Sequence, residues 1–214
     1  MTTKTRRSTA AVDHHATLRA LILSGEIGAD TRLYESALTD ELGTSRTPIR
    51  EALAMLERDG ILVREARGYR VRTRSTQEVL DYFDIRIALE SSAAALAADR
   101  ATPLERGRMV ELLRRADQAT DEEAAEHHRA WHRTLIEASH NPALVDFVER
   151  AEIMILLHER PWPRSIAGTQ QSQAEHLAIL DAVLQGDAQA AQRLMADHMV
   201  RARDYQLHAA IIDL

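Results

Sequence analysis

The chain has 214 residues, a formal net charge of −6, 45% hydrophobic residues, 4% aromatic ones and no cysteine. That length fits two small domains, and the lack of cysteine excludes disulfides and thiolate-held metals. No run approaches the ~18–20 apolar residues of a membrane span, and Met1–Ala10 is polar and basic with no apolar run, so a soluble, cytoplasmic protein without membrane contact is expected.

Charge is not spread evenly. Residues 1–75 hold 13 Lys+Arg against 10 Asp+Glu, a net +3, whereas residues 76–214 hold 14 against 23, a net −9. A basic N-terminal part points to a local contact with a polyanion. Residues 1–12, with Lys4, Arg6 and Arg7, read as a flexible tail. A first helix is expected over His14–Ser24, with Leu18, Leu21 and Ile22 on one face and Gly25 at its end. Thr31–Leu33 reads as a short strand or turn, and Glu35–Leu42 as a second helix.

After a turn at Gly43, Ser45 is a suitable N-cap, and Pro48 falls in the next first turn, where a missing N–H costs little. Ile49, Leu53 and Leu56 recur at helical spacing with Ala52 beside them and mark a buried face. The helix stops at Asp59-Gly60. Ile61–Val63 and Tyr69–Val71 are β-like runs around a turn at Arg67-Gly68. Two helices, a turn and a hairpin make a winged helix-turn-helix over residues 13–74.

The first turn of such a second helix carries the side chains that reach base edges in the major groove, and arginine can donate two hydrogen bonds to guanine. Arg46 and Arg50 are therefore the candidate base readers, with Ser45 and Thr47 suited to phosphate oxygens. Gly68 at the wing tip is expected to let backbone approach DNA, with Arg67 and Arg70 alongside. One such helix reads too few base pairs for genomic selectivity, so a homodimer on a pseudo-palindromic operator is expected.

Ser75 or Thr76 can cap the next helix, and residues 75–214 read as all-α, rich in Ala, Leu, Glu and Arg with no surviving period-two run. Helices are expected over Val79–Ala101, from Pro103 to Thr120, from Asp121 to Ser139, from Asn141-Pro142 to Glu159, from Thr169 to Leu184, and from Ala188 to Ala210. Trp162 lies between prolines in a loop. The fold class is thus mainly α, a winged helix-turn-helix followed by a helical bundle.

Eight of the ten histidines lie in the helical part. His128 and His132 are four apart and share a face. His176 precedes the turn at Gly186 by ten residues and His198 follows it by twelve, so in an antiparallel hairpin their heights differ by less than one helical turn. Imidazoles on facing helices are good ligands for zinc, nickel, copper or iron. Spacing alone leaves two readings open, a metal site or a set of partly buried histidines. His127 and His158 read as solvated. Arg86 could meet a carboxylate effector, but Glu90 at i+4 offers it an ordinary ion pair.

Leu33-x-Glu35-x-x-Leu38, the run Gly43–Leu53 and Leu56-Glu57-x-x-Gly60 closely resemble the N-terminal domain of GntR-family bacterial regulators, from Leu18 to Val71. Ser36 stands where that resemblance would place a DNA-touching arginine, and is not taken as a base reader. Arg86-x-x-x-Glu90, Trp131-His132, Ala138–Pro142, His176, Gly186-Asp187 and His198 resemble the FCD ligand-binding domain of the FadR subfamily, in a short, VanR-like form. The resemblance implies a small organic acid as effector and, in many members, a metal held by three histidines and an aspartate. His132, His176 and His198 match the histidines. His128 stands at the aspartate position, which keeps a divalent ion, zinc or nickel, feasible but lowers its charge compensation. His140 replaces the usual glycine. Because histidine binds metal only when neutral, affinity is expected to fall as pH drops through ~6.5.

The function expected is a ligand-responsive transcription regulator, a repressor rather than an enzyme, binding a double-stranded DNA operator and a small carboxylate. The alternative is a histidine-ligated metalloenzyme fused to a DNA-binding module. No Asp or Glu is placed by sequence on the histidine face as a general base, which argues against it.

Overall fold

The computed structural model describes residues 3–29, 31–157 and 170–212. Two compact units emerge. The first runs through Val79 and also takes in Ile153–Leu157. The second contains Leu80–Glu152 and the chain beyond residue 170. Trp162 and His158 lie outside the described residues.

In the first unit, α1 (Thr3–Ser24), α2 (Glu35–Glu41) and α3 (Arg46–Arg58) precede the wing. Helix α1 starts well before the expected His14. Ala10 and Ala11 favour helix, and Ala11 is buried, so the helix extends through what reads as tail. Leu18 and Ile22 of α1, Ile49, Leu53 and Leu56 of α3 and Ile61 build the core. Strands β1 (Arg32–Leu33), β2 (Leu62–Arg64) and β3 (Tyr69–Val71) form an antiparallel sheet of order β1-β3-β2, with Arg32 opposite Arg70 and Arg64 opposite Tyr69. Ser45 sits at the N-cap of α3 with extended backbone but makes no side-chain capping bond.

The second unit is all helical: α4 (Thr76–Arg100, most of it in this unit), α5 (Pro103–Asp117), α6 (Asp121–Glu137), α7 (Pro142–Leu156), α8 (Gln170–Gln185) and α9 (Ala188–Ile212). Thr102 and Glu105 cap α5 reciprocally. Helix α6 is capped by Thr120, with the Glu123 carboxylate accepting from the Thr120 N–H. Ala93, Ala94, Leu113, Trp131, Leu135, Ile179, Val183 and Met195 meet in one core. Arg106 donates to the carbonyls of Ala98 and Ala101 at the end of α4 and of Leu184 near the end of α8. It thereby satisfies acceptors that the helix ends leave without partners.

The last turn of α7 packs with the winged unit. Arg74 is buried there. Its N–H donates to the Leu157 carbonyl at 2.7 Å, and its guanidinium reaches the Gly60 carbonyl, the Met154 sulfur and Glu78. The units divide after Val79, a few residues beyond the boundary expected at Arg74–Thr76, and the segment from Ile153 returns to the first.

Candidate functional site

The amphipathic α3 fixes the nucleic-acid face. Ile49, Leu53 and Leu56 are fully buried, which turns Ser45, Arg46 and Arg50 outward, with Thr47 half-buried beside them. Arg46 opens the helix and Arg50 follows one turn later, so both lie on its exposed first turns.

Two of the expected wing residues answer structural demands. Gly68 has φ +82°, and a Cβ there would stand 2.4 Å from the Leu33 carbonyl oxygen. Its glycine is required by the close approach of the wing turn to β1, whatever else the wing tip meets. Arg70 is committed to Glu65, with Nε donating at 3.0 Å, and Arg32 closes on the same carboxylate at 3.5 Å. Arg67 is exposed at the turn. Arg64, which sequence reasoning passed over, lies 5.6 Å over the Tyr69 ring and lines a groove shared with Tyr34, Arg46 and Gly68. The signal that could have found it is the strand period, which sets Arg64 opposite Tyr69 in a hairpin closed at Gly68.

In the second unit, α6, α8 and α9 bring His132, His176 and His198 together. Their Nε2 atoms form a triangle with sides of 3.0, 3.1 and 3.2 Å. Behind them, the His132 Nδ1 lies 3.1 Å from Glu90 Oε2, and the His198 Nδ1 lies 2.7 Å from Glu175 Oε2. A carboxylate only accepts, so both Nδ1 atoms carry the ring proton, and both Nε2 atoms are bare lone pairs. His176 could donate one proton into the triangle. The contact between His132 and His198, at 3.2 Å, then still sets lone pair against lone pair. A cation resolves that repulsion. A triangle this size has its corners within ~2.0–2.1 Å of one common point, the usual metal–imidazole distance.

The electrostatics agree. Burial, and then the neighbouring imidazoles, push His176 well below its usual 6.5. Burial and His132 push His198 down to about 4 despite Glu175. His176 and His198 are therefore neutral in the ground state. Burial opposes the charge of Glu90, yet Arg86 and His132 hold its carboxyl down to about 2. Glu90 and Glu175 supply the negative charge that an all-histidine set lacks. Sequence spacing missed them as site residues because they approach from α4 and α8, outside the histidine face of α6.

Two expected site residues are not brought to the triangle. His128 is 2% exposed, but its Nε2 is engaged at 2.6 Å by Gln173 Oε1. Arg86 is committed to Glu90, with Nε donating at 2.7 Å, and to Glu152 at 3.3 Å. Its guanidinium backs the carboxylate that backs His132.

Comparison with known proteins is consistent across the chain. Residues 14–70 match the family described as bacterial regulatory proteins, gntR family, and residues 81–201 match the FCD domain. The chain is 27% identical over 203 residues to the HTH-type transcriptional repressor GlaR of Escherichia coli, covering 89% of this chain and 92% of that protein. It is 31% identical over 144 residues to the uncharacterized HTH-type transcriptional regulator YdhC of Bacillus subtilis, 64% of each. The solved structure of E. coli McbR/YncC shares the fold with a TM-score of 0.71 at 22% identity, over 93% of this chain and 97% of that one.

Proposed function

The chain belongs to the GntR family of bacterial regulators, with an FCD domain behind its winged helix-turn-helix, and from that premise we propose a homodimeric operator-binding repressor of the FadR subfamily, acting in the cytoplasm. Arg46 and Arg50 read base edges of a pseudo-palindromic operator, while Ser45, Thr47, Arg64 and Arg67 contact phosphates. In the FCD domain a divalent ion, zinc or nickel, is held by His132, His176 and His198. Such an ion supplies Lewis acidity toward an oxygen ligand, and a small carboxylate effector takes the positions that the rings leave open. The observation that carries this reading is the Nε2 triangle with two carboxylates behind it.

The relatives above are transcriptional regulators rather than enzymes, and both nearby carboxylates are occupied behind the rings, so a metalloenzyme reading has no base to use. For the effector to act, it must favour one arrangement of the DNA-binding units over another. A tenfold loss of operator affinity needs a coupling of only ~1.4 kcal/mol. The test is operator binding by fluorescence anisotropy, with DNA selected from genomic fragments and zinc-loaded protein. Small carboxylates are screened for release. Binding by two protomers and release by an acid are expected. Unchanged binding by the Arg46→Ala, Arg50→Ala double variant would overturn the assignment of α3.

A further inference from the structure

Resting on the metal reading above, we propose that the ion has three protein ligands only, and that His128 is a positioning residue for His176 rather than a fourth ligand. Gln173 decides this. Its side-chain N–H donates to the Leu113 carbonyl at 3.0 Å, which turns its Oε1 toward His128. An amide oxygen only accepts, so the His128 Nε2 carries a proton, and neither His128 nitrogen joins the set of ligand atoms within 4.8 Å of one another that His132, His176 and His198 form. Turning the ring to the ion would break a 2.6 Å hydrogen bond and strand a buried amide oxygen.

His176 needs support that the other two rings do not. His132 and His198 are each oriented by a carboxylate on Nδ1, whereas the His176 Nδ1 is buried with no hydrogen-bond partner among the described residues. Packing takes that place. The His128 ring meets His176 edge-on with centroids 4.5 Å apart, and the Trp131 ring lies 4.7 Å away on a tilted approach. His128 thus holds the aim of His176, while Gln173 holds His128. The ion keeps three neutral ligands from the protein and an open side for whatever anion approaches.

The experiment uses full-length, chelator-treated protein titrated with Co2+, whose visible absorption reports coordination. In the double variant His128→Phe, Gln173→Leu, both hydrogen-bond partners become apolar while the ring remains. It should bind cobalt with the parent's stoichiometry and absorption band but about tenfold more weakly, because a ring still packs on His176 while Gln173 no longer holds it, and unchanged affinity overturns the positioning role. His176→Ala should lose uptake by about a hundredfold or more. Equal loss in the double variant and in His176→Ala overturns the inference. X-ray absorption fine structure of the cobalt-loaded parent gives the same answer without any substitution. Three imidazole ligands support it, and four refute it. Parent protein that takes up no cobalt overturns the metal reading and this inference with it, whereas uptake through four imidazoles overturns this inference alone.

Discussion

Glu175 Oε2 stands 2.7 Å from the His198 Nδ1, and this one contact decides which nitrogen of the imidazole carries the proton and which faces the triangle. Arg201 holds the other Glu175 oxygen at 2.5 Å. Glu90 does the same for His132 from the far side, itself held by Arg86.

Replacing Glu175 by Gln should therefore lower metal affinity by ~10–100-fold, the usual cost of losing such a supporting carboxylate. The thermal midpoint of the metal-free protein should change little, because Arg201 is largely exposed. Glu90→Gln should lose affinity similarly but also cost ~1–3 kcal/mol of stability, since it leaves the half-buried Arg86 with Glu152 as its remaining charged partner. Paired metal titrations and metal-free melts separate the two effects.

The metal-free protein should lose stability in acid. His176 lies well below 6.5 and His198 at about 4, so the folded state binds fewer protons than the unfolded chain once pH falls under 6.5. Their contribution is fully present above that value and lost as pH falls toward about 4. For His198 the loss amounts to at most ~3 kcal/mol. Thermal melts in chelator from pH ~7.5 to ~4.5 check it, and a midpoint flat across that range contradicts it. For the same reason metal should be retained below the ~6.5 that an ordinary histidine would set.

His140 is the one non-glycine residue with positive φ among the described residues, at +51°, just past the end of α6. Glycine adopts that conformation without strain. The exposed contact of His140 with Glu105 is weak compensation, because Glu105 is already engaged by Thr102. His140→Gly should stabilise by ~1 kcal/mol and raise the melting midpoint by ~2–4 °C. A lower midpoint would show that the Glu105 contact outweighs the backbone.

In the winged unit, Arg64→Ala should weaken operator binding and reduce its salt dependence, while Arg70→Ala should do so less, because Arg70 is spent on Glu65. Arg46→Ala and Arg50→Ala should each cost ~1–3 kcal/mol if bidentate to guanine. Gly68→Ala should destabilise the wing even without DNA, since its Cβ would overlap the Leu33 carbonyl. Salt titrations of operator affinity, with a melt of each variant, distinguish these outcomes.

Much of this was legible because local chemistry repeats along the chain. Ile49, Leu53 and Leu56 at helical spacing mark the buried side of α3 and so expose Arg46 and Arg50. The spacing of His176 and His198 about Gly186 brings their Nε2 atoms to 3.1 Å. What spacing could not carry was contact between distant helices. Gln173 captures His128 from α8, and Glu90 reaches His132 from α4. Likewise, the last turn of α7 meets Arg74 across some eighty residues of sequence.

The most direct measurement is the metal content of the natively purified protein beside its His176→Ala variant, by elemental analysis of folded, chelator-free samples. The account predicts one divalent ion per chain in the parent and a near-complete loss in the variant. Equal content in the two, or none in the parent after zinc and nickel reconstitution, would contradict it.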